Sequence, residues 1–164
     1  MPSDLMTLSL TRRTTTPANI DAVELRGIQT SDRDALATAY LAAYPPGVAA
    51  TSLNDARQEM DDTFTGEFGA LRHDLTRVAT FEDRPVGAIL VVGKSIWDPQ
   101  LHGPFIIDLF VHPDVRGMGV GRALLDDAVH ACARAEDATL SLRVGEGTSP
   151  AALALYTRAG FQQR

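Results

Sequence analysis

The octapeptide VRGMGVGR, residues 115–122, sets Gly117, Gly119 and Gly121 at alternate positions between Arg116 and Arg122. Glycine is costly to order, so this spacing needs either turns that only glycine makes or a ligand that approaches the backbone. The apolar run FIIDLFV precedes the stretch and a helical pattern follows it. A strand feeding a glycine turn that opens a helix is a generic anion site, where bare amides converge and the helix dipole adds partial positive charge. A plain tight turn would account for the glycines but not for the flanking arginines, so a phosphate is the expected ligand. A Walker loop is excluded, because no Lys followed by Ser or Thr closes the turn. The dinucleotide fingerprint fits poorly: three residues after Gly119 stands Arg122, and three after Gly121 stands Leu124. A protein binding ATP or NAD through such a turn is a competing reading.

Acid–base chemistry has one candidate inside the preceding run. Asp108 is the lone carboxylate of FIIDLFV, and burial raises a carboxyl group toward the range useful to a general base. Asp108 is therefore a candidate base or an anchor for an ammonium group, set against an ordinary exposed place in an alternating strand. Glu67 and Glu82 lie beside turns and are weaker candidates. Asp55, Glu59 and Asp62 share one helical face, which is either a solvated face or an attractor of a cationic substrate. No Ser/His/Asp or Cys/His arrangement offers a nucleophile. Cys132 falls on an apolar helical stripe and reads as core. His73, His102, His112 and His130 share no metal-ligand spacing, so no metal is expected. Trp97 stands in a long connection that either borders an acceptor pocket or packs on the sheet.

The elements that must hold these residues follow from periodicity. LMTLSLTR alternates apolar and polar residues and suits a short strand, and the Thr-rich TRRTTTPAN at 11–19 reads as a linker. Residues 1–20 are thus an arm and 21–164 a single domain. AVELRGI is a strand; Ser31 with Asp34 suggests a capping box and a helix reaching about Tyr44, where YPPG stops it. Ser52 caps a second helix carrying Leu53, Ala56, Met60 and Phe64. TRVATFED and RPVGAILVV form a hairpin, and GPFIIDLFVHP is nearly continuous in apolar residues, as a central strand is. Leu124, Leu125, Ala128, Val129 and Cys132 mark the helix after the glycines, and ATLSLRV is another strand. The last helix has Ser149 as N-cap, Pro150 at its first position and Gly160 after its end. This order makes an α/β or α+β sandwich around a mixed sheet.

Two of these segments resemble a known family. VRGMGVGR after IIDLFVHPD is similar to motif A of the GNAT N-acetyltransferase superfamily, with Arg116, Gly119 and Gly121 at the patterned positions. SPAALALYTRAGF, about 35 residues on, resembles the family's second signature. The resemblance covers roughly residues 23–161 and is distinctive over 105–161. It implies a mixed, mostly antiparallel sheet flanked by helices, splayed between the strands at 105–111 and 138–144. It implies acetyl-CoA or another acyl-CoA in that gap, with backbone groups of Phe110 and Val111 pairing with the pantetheine arm. Amides from Gly117 through Met118, Gly119, Val120 and Gly121 to Arg122 would hold the pyrophosphate, with Arg116 at the rim. Tyr156 would protonate the departing sulfur, while an amide near Val111 polarises the thioester carbonyl. Where the family often has Asn this chain has Ser149, which would take over the contact with the pantetheine. The family usually continues past Gly-Phe with further strands, whereas this chain ends at Arg164. The arm is expected to cover that edge, folded back or exchanged with a second copy in a homodimer.

Composition narrows the partners. With 164 residues, 45% of them hydrophobic, the chain suits one domain with a proper core. A formal charge of −6 without a basic stripe argues against nucleic acid. One cysteine gives no disulfide framework, and no run approaches ~18 apolar residues or a signal-peptide core. A cytoplasmic protein with no membrane partner is the expectation. The resemblance implies transfer of an acetyl group to a primary amine, on a small molecule or a protein, by direct attack. A non-catalytic acyl-CoA-binding regulatory module is the alternative.

Overall fold

Runs with apolar residues at period two become strands and those with spacings of three and four become helices. The computed structural model describes residues 4–11, 13–16, 19–145 and 147–164; positions 12, 17 and 18 of the Thr-rich stretch lie outside them. Among the described residues the order is β1 (Leu5–Ser9), β2 (Val23–Gly27), α1 (Arg33–Ala43), α2 (Leu53–Thr65), β3 (Arg77–Phe81) and β4 (Arg84–Val92). There follow β5 (Phe105–Val111), α3 (Val120–Arg134), β6 (Thr139–Arg143), α4 (Pro150–Ala159) and β7 (Gln162–Gln163). The strands form one sheet in the order β2-β3-β4-β5-β6-β1-β7. Only β5 and β6 run parallel, so the fold is the mixed, mostly antiparallel sheet that the resemblance implied.

Each face of the sheet has its own core. Alternate residues of β3 to β5, Val78, Ala88, Leu90 and Phe110, pack with Leu36, Tyr40 and Met60 from α1 and α2. Ala79, Ile89 and Ile106 pack on the opposite side with Leu124, Leu125, Ala128 and Cys132 from α3 and Tyr156 from α4. Cys132 is fully buried, as its place in the stripe requires, and burial pushes its thiol up to about 12.

Two irregularities shape the middle of the sheet. β5 and β6 pair only at Phe105↔Ser141 and Ile106↔Leu142, after which they diverge. Against β4 the register shifts between Leu90 and Val91, leaving Ile107 as an extra residue in β5. Such a bulge bends its strand and re-aims the side chains that follow.

The arm lies beside β6 within its own chain. β1 pairs with β6 along its whole length, from Leu5↔Arg143 to Ser9↔Thr139. Met6, Leu8 and Leu10 point into the core, and the Thr7 hydroxyl bonds that of Ser141 at 2.9 Å. β7 then pairs with β1 at Met6↔Gln163 and Thr7↔Gln162. The β6 edge is thus occupied by the chain's own arm.

The start of the first helix differs from expectation. Residues 30–32 form a 3-10 turn and α1 begins at Arg33. Asp32, rather than Asp34, serves the cap: its carboxylate accepts from the Gln29 amide and from two nitrogens of Arg26, each at 2.8 Å. Asp32 faces inward, whereas Asp34 points to solvent beside Arg33. Ser52 and Ser149 cap as read, accepting from Asp55 N and Ala152 N, each at 3.1 Å. Tyr44 ends α1 with an extended backbone (φ −107°, ψ 152°), because a residue before proline avoids the helical region.

Candidate functional site

The glycine turn grows from the end of β5. Pro113 opens a short 3-10 turn, closed by Val115 N on His112 O at 3.1 Å and Arg116 N on Pro113 O at 3.2 Å. Gly117 and Gly119 then take φ of 83° and 82°, where a side chain is disfavoured, and Gly119 caps α3. The first helical bond runs from Ala123 N to Gly119 O at 3.0 Å. The amides of Val120, Gly121 and Arg122 therefore have no acceptor within the helix, which is the condition for holding an anion. A Cβ built on Gly117 or Gly119 would meet nothing within 4 Å, so the turn's outer surface is open backbone. Gly121 has no positive φ; its Cβ would sit 3.8 Å from methyls of Val111 and Leu155. Val120 is buried and Met118 exposed. The two arginines differ. Arg122 stands in solvent, 3.7 Å from Asp126. The Arg116 guanidinium instead donates to the carbonyl of Ala43, at the C-terminus of α1.

The divergence of β5 from β6 opens a gap next to this turn. His112 N donates to Val86 O at 2.7 Å, which fixes the alternation of β5 against β4. The peptide groups of Phe110 then face Ala88, while those of Leu109 and Val111 face the gap. This corrects the expectation for Phe110: its backbone belongs to the ladder with β4 and its ring to the core against Tyr40. Asp108, half-buried just past the bulge, accepts from the Tyr44 hydroxyl. Burial lifts its carboxyl to about 6, against the lowering bonds from Tyr44 and the Leu109 amide. Burial likewise raises the Tyr156 hydroxyl, aided by the Asp108 charge, so this phenol stays protonated at neutral pH. Tyr156 is 7% exposed and packs edge-on to Phe161, ring centroids 5.9 Å apart.

The fold that carries this gap and turn is shared with known proteins. A model of the acetyltransferase (GNAT) domain matches residues 72–163, more than half of the chain. The chain belongs to the GNAT acetyltransferase family. Among solved structures, a GCN5-related N-acetyltransferase from Sphaerobacter thermophilus superposes with a TM-score of 0.73 at 19% identity. All of this chain is covered, but only 50% of that one, so the chain spans half of its length. A protein from Pyrococcus horikoshii OT3 gives 0.70 at 21% identity, covering 85% and 88% of the two chains. The ribosomal-protein-S18-alanine N-acetyltransferase from Escherichia coli gives 0.63 at 21%, covering 87% and 79%. These likenesses concern the fold. Among curated proteins, none matches the chain.

The remaining candidates occupy different places on the GNAT scaffold. Glu59, on α2, acts on the titration of Asp108, and burial beside Asp62 and Asp55 raises its own carboxyl. It lines a cavity of about 240 Å³ with Ala49, Ala50, Thr51, Asp55 and Gln58. Asp55 is engaged by Thr51, and Asp62 by Gln58 at 2.8 Å. Glu82 sits in the β3–β4 turn with φ of 52° and Glu67 is exposed just after α2; no bond joins either to Asp108. Ser149 is exposed at the start of α4 with its hydroxyl on the helix cap. His112 caps the turn after β5 by accepting from Asp114 N, and His130 bonds Thr15. No group of three metal-ligating side chains is found among the described residues. Trp97 rests against Phe105 with half its surface exposed. Among the described residues no helix is long and apolar enough to cross a membrane. Tyr44 was not legible as a site residue, since its place in YPPG accounts for it as a helix stop.

Proposed function

We propose that the chain is an N-acyltransferase that moves an acetyl group from acetyl-CoA, or another acyl group from its CoA thioester, to a primary amine. The observation that carries this reading is the gap after Ile106, which has the peptide edge of Leu109 and Val111 on one wall and the open amides of the glycine turn at one end. The pantetheine arm would pair with that edge as an added strand, and the pyrophosphate would lie on the amides of residues 117–122. Arg122, exposed beside Asp126, would add charge there. The chain's capped Ser149 would meet the pantetheine only by sharing its hydroxyl with the α4 cap.

Transfer in this geometry needs no enzyme nucleophile. Asp108 takes a proton from the acceptor ammonium; the amine nitrogen attacks the thioester carbon; the carbon–sulfur bond breaks, Tyr156 gives the thiolate its proton, and the second proton that the nitrogen sheds as the amide forms passes through solvent to restore the Tyr156 hydroxyl. An amide of the β5 edge, at Val111, would stabilise the charge on the carbonyl oxygen. A cationic acceptor would approach past Glu59, small molecule and protein amine both being compatible with that route. Thermal shifts with CoA, ATP and NAD side by side test the donor: stabilisation by CoA is expected, and a response to ATP or NAD without one to CoA would overturn it.

A further inference from the structure

The residue that fixes Asp108 comes from a helix the glycine motif does not include. We propose that Tyr44 is a positioning residue for Asp108, fixing the orientation of its carboxylate through Oδ1, and that Arg116 holds Tyr44 in place through the carbonyl of Ala43. The inference rests on the reading of Asp108 as the base.

A closed circuit of contacts supports it. Tyr44 OH donates to Asp108 Oδ1 and lies 3.5 Å from Leu109 O. Its ring meets Tyr40 edge-on at 5.5 Å, and Tyr40 meets Phe110 at 5.4 Å, two residues beyond Asp108 on the same face of β5. Pro45 and Pro46 restrict the chain that leaves Tyr44. One residue earlier, Ala43 O accepts from Arg116, which stands at the far end of the same strand and turn. From β5 the circuit runs through the turn to Arg116, across to α1, and back through Tyr44 to β5. A guanidinium at a helix C-terminus is also favoured by the helix dipole. Among the described residues, the ionisable groups acting on Asp108 are Tyr40 from α1, Tyr44 just past its end, Glu59 from α2 and Tyr156 from α4; β4 presents Leu90 opposite it. Among the side chains of the described residues, Tyr44 alone donates to the carboxylate, whereas Glu59 disfavours its charge. Removing the Tyr44 hydroxyl therefore moves the Asp108 titration upward.

The test follows the Asp108 side-chain carboxyl carbon by NMR across pH, in wild type and in Tyr44→Phe, beside the pH profile of acetyl transfer. The expected result is an upward titration shift of roughly one pH unit, the scale of one hydrogen bond to a charged group. Turnover should fall while acetyl-CoA affinity stays within about twofold. Arg116→Ala is expected to give a smaller shift in the same direction; weaker acetyl-CoA binding with an unmoved titration would overturn its part. An unmoved titration in folded Tyr44→Phe would overturn the proposal. Should that variant not fold, the wild-type Tyr44 hydroxyl proton serves: a downfield resonance lost as Asp108 protonates is expected, and its absence contradicts the proposal. If instead Asp108→Asn keeps its rate, the base reading fails while the titration still reports on Tyr44.

Discussion

Ile106 and Leu142 are the last pair between β5 and β6, and Asp108 lies two residues beyond that pair, across a bulge. Where the strands part, β5 loses a neighbour and its backbone groups at Leu109 and Val111 face an opening instead of a ladder. The same parting puts a half-buried carboxylate beside a space that can admit a substrate. The divergence therefore makes both the edge proposed for the donor and the environment of the proposed base.

An elevated carboxyl costs stability at neutral pH. Below about pH 4 Asp108 is protonated in folded and unfolded chains alike, so it costs nothing. As pH rises from there to its folded value of about 6, the unfolded chain releases a proton that the folded chain keeps, and stability falls. Asp108→Asn should stabilise the fold by about 1–3 kcal/mol at pH 7 and by nearly nothing at pH 3.5. Denaturant titrations at the two pH values check it; an equal effect at both would be contrary to a raised carboxyl.

Tyr156→Phe keeps the ring packed on Phe161 and removes only the hydroxyl. The proposed proton donation to sulfur predicts a roughly 10²-fold loss of kcat with acetyl-CoA binding unchanged. Steady-state rates beside calorimetric binding measure both, and full turnover would remove Tyr156 from the chemistry.

Gly119 separates backbone strain from obstruction. At φ of 82° with open space around its Cβ, Gly119→Ala should cost about 1–2 kcal/mol of stability and leave CoA binding measurable. Gly119→Glu adds a carboxylate to the proposed pyrophosphate site and should abolish binding. Equal affinities of the two variants for CoA would move the phosphate elsewhere.

The arm should matter to stability. Leu8 is 2% exposed in the core beside β6, so Leu8→Ala should destabilise by about 2–5 kcal/mol. Deleting residues 1–10 bares the β6 edge and should promote aggregation, seen by light scattering. A deletion variant as stable and monodisperse as the full chain would count against this role.

Most of the fold was written in local signals. Ser52, Ser149, Pro150 and Gly160 mark helix ends because caps depend on a few neighbouring atoms. The glycine turn was legible for the same reason, and Asp108 stood out as one charge in an apolar run. What failed needed long-range geometry. Whether Asp32 or Asp34 closes the capping box ahead of α1 depends on Arg26 reaching over from β2. Whether Phe110 or Leu109 offers its peptide groups to the gap depends on the register with β4, which the bulge at Ile107 shifts. Tyr44 meets Asp108 across 64 residues of chain, a pairing no spacing rule announces. Arg116, read as a phosphate contact, is also a strut to α1 for the same reason.

The most direct measurement is release of free thiol from acetyl-CoA in the presence of a panel of primary amines, followed from pH 5 to 9 with wild type and Asp108→Asn. Amine-dependent release that falls below about pH 6 in the wild type, and drops by roughly 10²-fold or more in Asp108→Asn, is the predicted result. Thermal protection by CoA with no thiol released for any amine would contradict it, and would leave the chain a binder of acyl-CoA without turnover.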